Sequence, residues 1–192
     1  MPLDFDSARL HNPFLTPEHE AWRTQLRRFF DKEVVPYAAE WDEQGNIPST
    51  LYKKAAEIGL LGLGYPEELG GISEGIDIWY HNIVNEEMAR FGVGGVAANL
   101  MVHNIGLPPV ANFASDAIKR EVVPAVLKGD KRISLAITEP GAGSDVANLT
   151  TRAKRDGDSF IVTGSKTYIT GGMTADWYTT AVRTGGEGSQ GV

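Results

Sequence analysis

Eight residues concentrate the chemistry this chain could do: Thr138-Glu139-Pro140-Gly141-Ala142-Gly143-Ser144-Asp145. They close an apolar run that reads as a strand, Ile133-Ser134-Leu135-Ala136-Ile137-Thr138. Glycine permits positive φ and lets a ligand approach the main chain closely. Successive main-chain N–H groups in such a turn can form an anion-binding nest, and the Ser144 hydroxyl adds a donor. The stretch is therefore a candidate phosphate or pyrophosphate site, with an unliganded glycine-rich turn as the plain alternative. Gly141-x-Gly143 lacks the third glycine and the βαβ pattern of a dinucleotide fingerprint. Gly164-Ser165-Lys166-Thr167 looks like the tail of a P-loop but lacks G-x-x-x-x-G-K. Glu139 sits in the stretch like a general base, but it precedes proline, which biases it to extended backbone. No catalysis is assigned to it.

Other chemistries are excluded by what the chain lacks. With no cysteine there is no disulfide, thiolate nucleophile, Cys-ligated zinc or iron–sulfur cluster. The histidines are His11, His19, His81 and His103, and no two stand three or four apart as helical metal ligands do. His103 reads as an ordinary histidine rather than a catalytic one. Lys and Arg number 18 against 25 Asp and Glu, a net charge of −7. That opposes nucleic acid or an anionic membrane as partner, since both demand a basic face. No apolar run approaches the ~18 residues of a membrane span. The acidic start Leu3-Asp4-Phe5-Asp6 reads as neither a secretory signal nor a transit peptide. This points to a bacterial cytoplasm, with the mitochondrial matrix as the alternative.

The elements that must position the stretch divide near Arg132. Residues 1–132 are net −6 and hold nine of the ten prolines, whereas residues 133–192 hold ten threonines and ten of the 22 glycines. The reading is α+β: an all-α domain over 1–132, then a β domain over 133–192. Thr16-Pro17 opens the first helix as N-cap and N1. Trp22, Leu26, Phe29, Phe30, Val34, Tyr37 and Trp41 recur along one face, with Pro36 expected to kink or break it. A second helix runs from Ser49 to Gly59, followed by an irregular buried loop to Pro66. A third runs from about Asp77 to Phe91, with Glu86 and Arg90 expected to pair. Small residues follow at Gly94, Gly95, Ala97 and Ala98, and Ser115 caps a last helix ending near Lys128-Gly129. Beyond Ile133 the expected strands are a hairpin of 152–155 and 159–163 around Asp156-Gly157-Asp158, then Lys166–Thr170 and Trp177–Arg183. They are expected to form a sheet of three to five strands with an open edge.

Residues 135–145, Leu135-Ala136-Ile137-Thr138-Glu139-Pro140-Gly141-Ala142-Gly143-Ser144-Asp145, closely resemble the signature of the acyl-CoA dehydrogenase family. Three further stretches resemble it at the expected places: Gly59 to Gly71, Glu86-Glu87-Met88-Ala89-Arg90, and Gly164 to Thr170. The likeness runs from Thr16 to Val192. It implies a helical N-terminal domain, a β-barrel middle domain, here truncated, and a C-terminal helical bundle. It implies FAD as cofactor, acyl-CoA thioesters as substrates, an electron-transfer flavoprotein as acceptor and a homotetramer. In the reaction so implied, a glutamate removes the α-proton and the β-hydride passes to flavin N5. Carried over residue by residue, Leu135, Ile137 and Thr138 lie along the flavin, and Gly143 and Ser144 meet the pyrophosphate. Ser144 also meets the CoA portion. Tyr168, Ile169 and Thr170 contact the isoalloxazine, with tyrosine where many members have tryptophan and Leu135 where many have an aromatic. Ala97, Ala98, Met101 and Ile105 fall where members line the acyl pocket, with plain helix packing as the alternative.

The resemblance places the catalytic glutamate beyond Val192, so no residue of this chain is assigned as catalytic, and the chain reads as an N-terminal portion, inactive alone. The alternatives are a truncated paralogue that binds acyl-CoA or a partner without turnover, or part of an acyl-CoA oxidase or flavin monooxygenase of the same fold. A DNA-associated relative is the remaining alternative, opposed by the acidic charge.

Overall fold

The computed structural model of the chain describes residues 3–186 and 188–192. They fall into two compact units: residues 1–101 with 120–130, and residues 102–119 with 131–192.

The first unit is helical: α1 (Pro17–Glu33), α2 (Ala38–Gln44), α3 (Ser49–Glu57), α4 (Ile78–Ala89) and α5 (Gly94–Leu100). Thr16 caps α1 through a reciprocal box whose N3 residue is His19: the His19 N–H donates to Thr16 Oγ1, and the Thr16 N–H donates to His19 Nδ1 at 3.0 Å. Residues 34–37 separate α1 from α2 at Pro36, and α2 ends on Gly45 at φ 66°, where only glycine is at ease. Trp22, Leu26, Phe29, Phe30 and Val34 are buried with Leu51, Ala55, Leu60, Leu61 and Ile83 in one apolar core. The loop after α3 is buried as its composition implies. The expected Glu86–Arg90 pair is not formed. Arg90 instead bonds Glu87 at 3.1 Å and Asp31 at 3.3 Å, while Glu86 takes Arg23.

Two short helices, α6 (His103–Gly106) and α7 (Pro108–Phe113), belong to the second unit, and α8 (Asp116–Leu127) runs from the second unit into the first. The small-residue segment is thus helical, in α5. Helix α6 packs on β1 (Ile133–Ala136), and the Thr179 hydroxyl donates to Gly106 O at 2.6 Å. Strands β2 (Arg152–Asp156) and β3 (Ser159–Thr163) pair antiparallel across Gly157-Asp158. Gly157 takes φ 59°, which fits a type II′ turn with glycine first. Strand β4 (Trp177–Thr180) pairs parallel with β1, Leu135 opposite Thr179.

Two expectations are corrected here. The strands form two two-stranded ladders rather than one sheet. They are joined beyond β4 where Ala153 N–H donates to Arg183 O and Arg183 N–H donates to Thr151 O. Residues 166–170 form no strand. Thr167 N–H reaches Thr138 O at 2.9 Å, but Tyr168 then turns to φ 56° and a tight turn closes from Ile169 O to Gly172 N. A left-handed residue ends an extended ladder, whatever the β-branched composition around it.

Candidate functional site

Strand β1 delivers the chain to the signature loop, whose shape comes from a reciprocal pair of main-chain bonds. Glu139 N donates to Ala142 O at 2.9 Å, and Ala142 N donates back to Glu139 O at 3.2 Å, closing a turn on Pro140-Gly141. Neither Gly141 nor Gly143 uses the left-handed region open to glycine, and a Cβ on either would meet nothing within 4 Å. Backbone conformation therefore does not demand glycine at these positions; what glycine leaves is open space against the main chain. The N–H groups of Gly143, Ser144 and Asp145 are exposed and donate to no described residue. Open to solvent, they are available to an anion.

Glu139 anchors this loop from beneath. It is 5% exposed and accepts from Thr150 N at 2.6 Å, Thr150 Oγ1 at 2.7 Å, Thr151 N at 2.9 Å and Lys166 Nζ at 2.8 Å. Burial opposes its ionisation, but Lys166 and these donors outweigh it and hold the carboxyl well below the ordinary carboxylate range. Such a group is a poor proton acceptor near neutral pH. Lys166 Nζ also donates to Ile137 O at 2.8 Å. Sequence reasoning missed a second anchor, Arg183. Its buried guanidinium donates to the carbonyls of Ala147, Leu149, Gly186 and Gly188, holding the segment that follows the loop. Nothing local marks it, because every partner but two lies more than thirty residues away.

Tyr168 and Ile169 line an open cleft of about 560 Å³ with Ala136, Lys166, Met173 and Tyr178. The Tyr168 ring is 92% exposed. No carboxylate lines this cleft. Thr170 stands behind it, its carbonyl accepting from the buried Ser134 hydroxyl at 2.7 Å. Leu135, Ile137 and Thr138 lie half-buried on β1 and its continuation, outside the cleft's lining; Gly143 and Ser144 are exposed and also outside it. Ile105 is exposed in the same unit. In the first unit, Ala97 lines a separate cleft of about 380 Å³ with Met88 and Val93, Met101 packs against the helical core, and Ala98 is exposed. His103 is buried. No group of metal-ligating side chains occurs among the described residues, and no described helix is long and apolar enough to cross a membrane.

Comparison with known proteins gives this geometry a context. Residues 16–130 match the family model for the acyl-CoA dehydrogenase N-terminal domain, and residues 134–192 match the one for its middle domain. The mitochondrial long-chain specific acyl-CoA dehydrogenase of Sus scrofa is 39% identical over 159 residues, which is 83% of this chain and 36% of that protein. A crystal structure from Mycobacterium abscessus, of a protein named "probable acyl CoA dehydrogenase", superposes with a TM-score of 0.86 at 49% identity over 92% of this chain and 46% of that one. The Bacillus anthracis acyl-CoA dehydrogenase complexed with FAD superposes at 0.80 with 30% identity, covering 93% of this chain and 31% of that one. The chain thus spans less than half the length of each of these relatives.

Proposed function

The chain belongs to the acyl-CoA dehydrogenase family, and on that premise we propose that it supplies the flavin-contacting part of an FAD-dependent enzyme that α,β-dehydrogenates acyl-CoA thioesters. The observation that carries the reading is Tyr168, nearly fully exposed at a cleft, with its segment bonded to Thr138 at the start of the signature loop. Tyr168 and Met173, both more than nine-tenths exposed, line the same cleft, an apolar patch of the kind that marks a ligand or partner surface. The residues fit the cofactor by type. The N–H groups of Gly143 and Ser144 and the Ser144 hydroxyl would hold the pyrophosphate. Leu135, Ile137, Thr138, Tyr168, Ile169 and Thr170 would border the isoalloxazine. Bound FAD would supply the hydride acceptor.

The chain's own residues then bind, orient and exclude water. Ser144 would also meet CoA, while the acyl-pocket assignment of Ala97, Ala98 and Met101 in the first unit and of Ile105 in the second rests on the resemblance alone. The family's base is a glutamate, and no carboxylate lines this cleft. Glu139 is excluded by its four donors. On this reading the residues of this chain contribute binding and orientation rather than the proton transfer. An electron-transfer flavoprotein as acceptor and a tetrameric assembly follow the same resemblance. A second reading, a non-catalytic acyl-CoA binder, is favoured by the missing carboxylate.

Titrating the chain into FAD should quench flavin fluorescence saturably, as an aromatic ring against the isoalloxazine does, while acyl-CoA plus an artificial acceptor gives no turnover. Turnover would overturn the claim that the base is absent. No quenching together with saturable heat from a CoA thioester by calorimetry would favour the non-catalytic binder.

A further inference from the structure

The segment that carries Tyr168 has few ties to the rest of its unit. Residues 164–170 make one outgoing main-chain bond, Thr167 N to Thr138 O, and receive two, from Gly172 N at Ile169 O and from the Ser134 hydroxyl at Thr170 O. The remaining hydrogen bonds pass through the Lys166 ammonium, which reaches both Ile137 O and Glu139. Glu139 in turn collects the N–H groups of Thr150 and Thr151 and the Thr150 hydroxyl. One carboxylate and one ammonium therefore join three stretches of chain: 137–139, 150–151 and 166–167. A tyrosine at φ 56° persists only where its surroundings over-determine it.

We propose that Glu139 and Lys166 are a positioning pair that fixes the 166–170 segment against the end of β1 and so holds the Tyr168 ring over the cleft. The proposal rests on the flavin-facing reading of Tyr168. Neither residue acts on a substrate; both act through Tyr168. Charge-assisted bonds of this kind are roughly twice as strong as neutral ones, which suits them to pinning an otherwise loosely tied segment. The carboxyl stays ionised because the donors around it outweigh its burial.

The test compares the chain with Glu139→Gln, Lys166→Met, Lys166→Arg and the Glu139→Gln/Lys166→Met double variant. Two quantities are read: amide hydrogen exchange at Thr167, with Ala153 of the β2 ladder as internal reference, and quenching of FAD fluorescence. Exchange at Thr167 should quicken at least tenfold in the two single neutral variants with Ala153 unchanged, and apparent FAD affinity should fall about tenfold. Lys166→Arg should restore both, which a loss of packing would not do. The double variant should resemble either single one, since the two residues act as one unit. If a single variant fails to fold through its stranded buried charge, the double variant, which leaves none, carries the measurement. Unaltered exchange and quenching in the folded double variant would overturn the proposal, as would exchange that quickens equally at Ala153. Should the unmodified chain fail to quench FAD, the flavin reading falls while the exchange comparison still decides whether the pair positions the segment.

Discussion

Among the described residues Tyr168 is the only non-glycine with positive φ, and it is also among the most exposed large side chains. The left-handed region costs an L-residue about 1–2 kcal/mol, and an exposed ring recovers little by burial. Asparagine tolerates that region better, through its short polar side chain. Tyr168→Asn should therefore leave the unit equally stable or more stable by up to about 1 kcal/mol in urea unfolding, while FAD quenching is lost. A stabilised variant that still quenched flavin fully would remove the ring from the site. At this scale the sequence was informative about types and silent about state. The aromatic at 168 and the donors at 143–145 were legible as letters, but the strain at one and the unpaired N–H groups of the others are properties of the folded backbone. The glycines taught the reverse lesson. Their open surroundings, rather than a left-handed backbone, are what leave room for a ligand.

Elements whose cause is local were legible, and those whose cause is distant were not. Helix α1 follows from Thr16-Pro17 and a 3.6-residue apolar spacing, and the β2–β3 hairpin follows from Asp156-Gly157-Asp158. The segment 166–170 was misread because its fate depends on Glu139 and Ile137, nearly thirty residues earlier. The polar face of α4 was misread for the same reason. Helical spacing pairs Glu86 with Arg90, but it cannot see α1, which brings Arg23 and Arg27 to the fully buried Glu87. Glu87 accepts from Arg27 at 2.7 and 2.9 Å and from Arg90 at 3.1 Å, closing α1 onto α4. Truncating one member of a buried ionic cluster strands the others, typically at about 3–5 kcal/mol. Glu87→Ala should cost that much in unfolding followed by helical circular dichroism. A loss under about 1 kcal/mol would show that water reaches the arginines and replaces the carboxylate.

Across the whole chain the two units share one device: a buried carboxylate held ionised by cations, Glu87 by arginines in the helical unit and Glu139 by Lys166 in the strand unit. For both, burial raises the pKa and the hydrogen-bonded cations lower it further, so the folded value lies below the unfolded one. The linkage sign follows. At neutral pH the carboxylates are ionised in both states, and their contribution to stability is fully present. As pH falls through the unfolded carboxylate range, about 4.3 for glutamate, the unfolded chain takes up protons that the folded chain refuses, and stability declines. Below the folded values the contribution is gone. The net charge of −7 works the other way, since protonating surface carboxylates relieves repulsion, but exposed charges are screened by salt and buried pairs much less so. Urea midpoints measured from pH 7 to pH 3 at moderate salt should therefore hold steady to about pH 5 and fall below it. Glu139→Gln should flatten that fall for the strand unit, read by Trp177 fluorescence in a variant whose other tryptophans are replaced by phenylalanine, and leave the helical signal's pH dependence intact. An equal slope in Glu139→Gln and the unmodified chain would mean that Glu139 titrates alike folded and unfolded, and the carboxylate beneath the signature loop would then contribute geometry without charge.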